Sequence, residues 1–149
     1  MSMSLEEENF SFWQDHSDHF LEMAFRTDKC EIASHPDGYG KNTGVCGDTV
    51  EIFLTVIKDR IKWVSFNTDG CINTRACANT VAMMSEGGTV REAWEVTAEK
   101  VIYYLETLPP ESEHCAELAV GALYRALTDY RRVEKDPWKK LYQKHNTCS

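Results

Sequence analysis

Eight residues between Cys115 and Tyr130 constrain the fold more than any other feature of the chain. Cys115, Leu118, Ala119, Ala122, Leu123, Ala126, Leu127 and Tyr130 recur at helical spacing and form one unbroken apolar stripe. Such a helix must bury its stripe against another layer. The chain offers a small sheet for that purpose. Val50, Ile52, Leu54 and Val56 alternate with Glu51, Phe53 and Thr55, which predicts a strand over Thr49 to Ile57. A second β-rich run, Ile61 to Asn67, follows Lys58, Asp59 and Arg60, and the two predict an antiparallel hairpin with a three-residue loop. After Cys71 the pattern is helical throughout. The expected fold class is α+β: a small antiparallel sheet of about three strands packed by several α-helices.

Local signals divide the rest. Ser11 with Gln14 has the form of a capping box and predicts a first helix over about residues 12 to 25. Arg26 to Gly44, with Pro36, Asp37, Gly38, Gly40 and Gly44, reads as loop with a short strand near Ile32. Asn73 or Thr74 can cap a helix reaching about Glu86, stopped by Gly87 and Gly88. Thr89 with Glu92 is a second capping box, for a short helix through Trp94, and Thr97 can cap the next. Pro109 and Pro110 end that helix, and Asp136 with Pro137 opens a last one holding Trp138, Leu141 and Tyr142.

Length and charge narrow the function. The 149 residues suit a single domain. A net charge of −8 argues against nucleic acid and against an anionic membrane surface, both of which select clustered Lys and Arg. No apolar run is long enough to span a bilayer. The start of the chain, with Glu6, Glu7 and Glu8, lacks the basic and apolar regions of a secretory signal, so the cytoplasm is the expected compartment.

In a reducing cytosol the six cysteines are expected as thiols rather than disulfides. Three share a setting. Cys46 lies in the glycine-flanked stretch Gly44-Val45-Cys46-Gly47-Asp48 just before the first strand, and Cys71 follows the second strand in Asp69-Gly70-Cys71. A hairpin returns the chain to its start, so Cys46 and Cys71 are expected to be neighbours. Cys115 follows His114 at the first turn of the long helix. Helix N-termini favour thiolate, whereas Glu111 and Glu113 beside Cys115 oppose it. With Asp48 and His114 the set offers donors that suit zinc or cluster iron. No Cys-x-x-Cys pair is present. A shared metal site and six small buried thiols both remain open on spacing alone.

Cys46-Gly47-Asp48, Asp69-Gly70-Cys71 and Leu108-Pro109-Pro110 followed by His114-Cys115 together resemble the U-type iron–sulfur cluster scaffold family, IscU-like or NifU N-terminal-like, over roughly Gly44 to Arg132. The resemblance implies a scaffold-like core at residues 44–132, a divergent N-terminal helix and loop at 1–43, and a C-terminal helix and tail at 133–149. It implies that Cys46, Cys71 and Cys115 hold a nascent [2Fe–2S] cluster, or zinc in the cluster-free form. Asp48 would be the extra ligand that keeps the cluster labile, His114 an alternate ligand, and Cys115 the acceptor of persulfide sulfur.

The implied partners are a cysteine desulfurase, apo iron–sulfur recipient proteins and an iron or regulatory protein. The implied state is a monomer or weak homodimer, and the implied role is a scaffold rather than a turnover enzyme. Two rival roles are a zinc-bound sulfur acceptor of sulfurtransferase type and a divergent module with structural zinc. Two positions depart from the family. Ser112, between Glu111 and Glu113, stands where a lysine is read by an Hsp70-type chaperone, which argues against that partner. Ile72 replaces a small residue after Cys71. No long insertion separates Cys71 from Cys115, unlike the sulfur-relay branch, and a full multidomain NifU with a further Cys-rich domain is not expected.

The other eye-catching residues have plainer readings. Cys77 is expected as a core thiol, Cys30 as a loop thiol and Cys148 as part of the terminal tail. His16 and His19 read as a solvated helix face, and Trp63 and Trp94 as core residues. Arg131, Arg132, Lys135, Lys139 and Lys140 give a basic end, read either as a solvated face or as a surface for an acidic partner.

Overall fold

The computed structural model describes residues 16–45 and 47–135. The elements in chain order are α1 (Asp18–Phe25), β1 (Gly38–Thr43), β2 (Thr49–Ile57), β3 (Arg60–Thr68), α2 (Ile72–Ser85), α3 (Val90–Ala93), α4 (Ala98–Leu105), a 3-10 turn (Pro110–Ser112) and α5 (Glu113–Lys135). The sheet is antiparallel in the order β1-β2-β3. The α+β expectation holds, with three strands among the described residues.

The apolar periodicity explains the layering. Val50, Ile52 and Leu54 of β2 and Val64 and Phe66 of β3 are fully buried, as are Ala119, Ala122, Leu123, Ala126 and Leu127 of the α5 stripe. Each Leu-sized side chain removed from water contributes about 1.5–3 kcal/mol before entropy is counted. α2 is small-residue rich, and Ala76, Ala78, Val81 and Ala82 pack into the same core. Thr89 and Glu92 form the reciprocal capping box, and Thr97 caps α4 by accepting from Lys100 N at 3.3 Å. No helix among the described residues is long and apolar enough to cross a membrane.

The structure corrects several local expectations. The third strand is Gly38–Thr43, not a segment near Ile32, where the chain makes only a bridge from Cys30 to Phe66. Gly38 and Gly40 had marked this region as a loop, yet they are what lets the strand lie on α5. A Cβ at Gly40 would sit 2.3 Å from both Ala122 O and Ala126 N. The hairpin loop holds two residues rather than three. Lys58 (φ 52°) and Asp59 (φ 64°) both take positive φ, and Arg60 already pairs with Ile57. α1 begins at Asp18 with Ser17 as its cap, Oγ accepting from Phe20 N at 3.1 Å, instead of near residue 12. The Ser11–Gln14 box, the helix at Asp136, Trp138, Lys139, Lys140, Cys46 and Cys148 lie outside the described residues.

Trp63 is not a core residue. Its side chain is 37% exposed and carries Lys29 Nζ 3.3 Å from its ring centroid. Trp94 is partly buried and stacks on Tyr124. His16 stacks on Phe20 and His19 on Tyr104, so each ring engages its own aromatic partner.

Candidate metal centre

Near one end of the sheet Cys71, His114 and Cys115 come together, and Asp48 lies on the β1–β2 connection. The β1–β2 connection is closed by Gly44 N donating to Asp48 O at 2.8 Å, next to the Thr43–Thr49 pair. Thr49 N donates to Asp69 Oδ1 at 2.8 Å, and Thr68 Oγ1 donates to Thr49 O at 2.7 Å. The segments that flank position 46 are thereby tied to the turn that leads into Cys71. Asp48 is half-buried there.

Cys71 is the N-cap of α2, in extended backbone and without a side-chain capping bond. This displaces the expected caps Asn73 and Thr74 into the first helical turn and frees both side chains for partners elsewhere. Asn73 Nδ2 donates to Ser112 Oγ at 2.9 Å. Thr74 Oγ1 donates to Cys115 Sγ at 3.4 Å and lies 3.9 Å from Cys71 Sγ. Cys71 and Cys115 therefore meet around one hydroxyl although 44 positions separate them. His114 Nε2 is 3.7 Å from Cys115 Sγ. Cys71 is exposed, Cys115 only 2% exposed, and His114 half-buried.

The sequence marks Thr74 and Asn73 only as candidate helix caps and does not show their partners at this site. Their importance depends on where helix α2 begins. Ile72 packs partly into the core, and Glu111, Glu113 and Glu117 form an exposed acidic border along the start of α5. Cys77 is buried one helical turn below Thr74. Burial above all, and then the neighbouring Cys115 and Cys71, push its thiol well above the ordinary range. It suits packing rather than ligation, as expected, and Cys30 is an exposed thiol at the edge bridge.

Among the described residues no three His, Cys, Asp or Glu side chains close on one point by themselves. Cys71, Cys115 and His114 supply two sulfurs and an imidazole, a donor set that suits zinc or cluster iron.

Known proteins resemble the chain in sequence and in fold. The family described as NifU-like N terminal domain matches residues 15–136, a span that takes in α1 and β1. The iron–sulfur cluster assembly scaffold protein IscU 1 of Archaeoglobus fulgidus is 38% identical over 97 residues, covering 64% of this chain and 63% of that protein. The mitochondrial iron sulfur cluster assembly protein 1 of Schizosaccharomyces pombe is 34% identical over 93 residues, 62% of this chain and 48% of that one. The chain thus spans under two thirds of the length of either relative. In fold it is similar to the N-terminal part of a NifU-like protein from Brucella abortus, with 16% identity, a TM-score of 0.61, and coverage of 80% of this chain and 94% of that one.

Proposed function

Because the chain belongs to the NifU-like N-terminal domain family, we propose that it is a scaffold on which an iron–sulfur cluster is assembled and from which it is passed to apo-proteins. The supporting observation is the meeting of Cys71 and Cys115 around the Thr74 hydroxyl, with His114 beside Cys115. Cys46, Cys71 and Cys115 are the proposed thiolate ligands of a [2Fe–2S] cargo, and zinc takes the same donors in the cluster-free form. Asp48 and His114 are weaker oxygen and nitrogen donors that can leave, which favours hand-on over storage.

Sulfur arrives from a cysteine desulfurase. The Cys115 thiolate attacks the outer sulfur of the enzyme's persulfide, a new S–S bond forms on Cys115, and the desulfurase thiolate leaves with the electron pair. Release of that sulfur as sulfide takes two electrons from an external reductant. The small exposure of Cys115 favours a second reading of this one step, in which exposed Cys71 receives the sulfur first. The chain acts as a scaffold rather than a turnover enzyme, with the cytoplasm as its proposed compartment and a monomer or weak homodimer as its proposed state.

The test is anaerobic reconstitution with iron, cysteine and a desulfurase, followed by visible absorption. Sulfide-to-iron charge-transfer bands that bleach on adding an apo-ferredoxin are expected. Cys→Ser changes at 46, 71 and 115 should each lower bound iron and sulfide. If none of the three does, the proposal is wrong. Mass spectrometry of the persulfide form separates Cys115 from Cys71 as acceptor.

A further inference from the structure

We infer that Thr74 is a positioning residue of this centre: its hydroxyl holds Cys115 Sγ and Cys71 Sγ toward one point before any metal arrives and remains a hydrogen-bond donor to the Cys115 sulfur once it is bound. The inference rests on the reading of Cys71 and Cys115 as ligands.

Hydroxyls elsewhere in the helices, two of them buried and that of Thr128 half-buried, show why Thr74 is special. Thr80, Ser85 and Thr128 each donate to the carbonyl four residues back in their own helix, those of Ala76, Val81 and Tyr124, at 2.8, 2.6 and 2.8 Å. Thr74 is in the first turn of α2, so the residue four back, Gly70, precedes the helix and its cap. The side chain is fully buried, and its hydroxyl turns to sulfur instead.

Gly70 makes room for that side chain. A Cβ at position 70 would come within 2.7–2.8 Å of Thr74 Cβ, Oγ1 and Cγ2, so the glycine leaves room for Thr74 and no more. With its single hydrogen given to Cys115, the hydroxyl presents only lone pairs to Cys71, whose own thiol hydrogen completes the contact at 3.9 Å in the metal-free protein. One atom therefore sets the spacing of two sulfurs carried by different helices. Groups that hydrogen-bond to metal ligands orient them and typically change metal affinity by about 10–100-fold when removed.

The experiment is titration of the full chain with Co2+ under anaerobic conditions, in competition with a chelator of known affinity, while the thiolate-to-cobalt charge-transfer band is recorded. Wild type, Thr74→Val, Thr74→Ser and Cys115→Ser are compared, each checked for a cooperative melt. Thr74→Val keeps the shape and removes the donor. It should weaken Co2+ binding about tenfold or more and shift the charge-transfer band. Thr74→Ser restores the hydroxyl and should return both toward wild type. Thr74→Ala supplies the same comparison with serine should the valine variant not fold.

Wild-type affinity and band position in Thr74→Val would overturn the inference and leave the ligand reading standing. So would a serine variant as impaired as valine, because packing alone would then explain the loss. A Cys115→Ser chain that binds Co2+ with an unchanged band, or a wild-type chain that binds none, would overturn the ligand reading and this inference together.

Discussion

Asn73 Nδ2 donates to Ser112 Oγ at 2.9 Å, and this bond ties the helix turn next to Cys71 to the turn that leads into Cys115. Ser112 is 8% exposed, so the position has room for a hydroxyl and little more. A lysine there would have to carry its ammonium out to solvent and abandon Asn73. Ser112→Lys is expected to lower stability by about 1–3 kcal/mol, the usual cost of a buried polar group that loses its partner. Asn73→Ala is expected to cost about 1 kcal/mol. Urea denaturation of both variants checks the order, and a Ser112→Lys chain as stable as wild type would show that the Asn73 bond contributes nothing.

Gly40 carries the close approach of β1 to α5. The atoms that an added methyl would strike, Ala122 O and Ala126 N, belong to the helix backbone and cannot swing aside. Gly40→Ala is expected to cost about 3 kcal/mol or more, at the upper end of overpacking changes. Its urea midpoint should fall far below that of a control at an exposed position such as Lys41→Ala. Equal midpoints would mean that strand and helix can part without penalty.

These two sites show what the sequence could and could not convey. The α5 stripe and the β2–β3 hairpin were legible because their periods, 3.6 and 2, report burial directly. β1 was not legible, since Gly-Tyr-Gly-Lys-Asn-Thr has the composition of a turn and its glycines acquire meaning only against a helix more than 80 residues away. At the site, the placement of Cys71 and Cys115 at helix starts was readable from local motifs. The contacts of Thr74, Asn73 and Asp69 were not, because each joins segments distant in the chain. Trp63 was misread for a related reason. A tryptophan in a strand signals a buried ring unless one knows that Lys29 covers its open face.

Lys29 predicts an asymmetric pair of mutants. Its ammonium is buried, lies over the Trp63 ring and is paired with Glu86, whose carboxylate retains 23% exposure. Removing the acid strands a buried cation. Removing the cation leaves a carboxylate that water can still reach. Glu86→Gln is therefore expected to cost about 3 kcal/mol and Lys29→Met clearly less. Thermal melts of both and of the double variant form the cycle that checks this. The reverse order would place the stabilisation in Glu86 rather than in the solvation of Lys29.

Tyr39 predicts an alkaline weakness. Its hydroxyl donates to Glu51, which also accepts from Asn67 Nδ2 at 3.0 Å. Burial first, and then the Glu51 carboxylate, hold the phenol above its ordinary value of 10.0. The folded chain thus keeps this proton more tightly than the unfolded chain. The resulting stability is fully present below pH 10.0 and is lost as pH rises above that value. Tyr39→Phe is expected to cost about 1–3 kcal/mol at neutral pH, with a shallower fall in stability above about pH 10 than wild type. Parallel slopes for the two proteins would mean that another group sets the alkaline limit.

Metal removal separates a cargo site from a structural one. The core runs continuously from α1 through the sheet to α5. Of the described site residues Asp48, Cys71, Thr74, His114 and Cys115, only Thr74 and Cys115 are buried, and they are already partnered to each other. A small domain built around zinc loses its fold with the metal, because the binding energy is the folding energy. Here the apolar core supplies that energy independently. Chelation under reducing conditions should therefore leave the far-UV spectrum and a cooperative melt intact, with the midpoint lowered by a few degrees at most, the size expected when a ligand leaves a fold that is stable without it. Unfolding on chelation would make the metal structural, and a scaffold that collapses when emptied could not give up its cluster and load another.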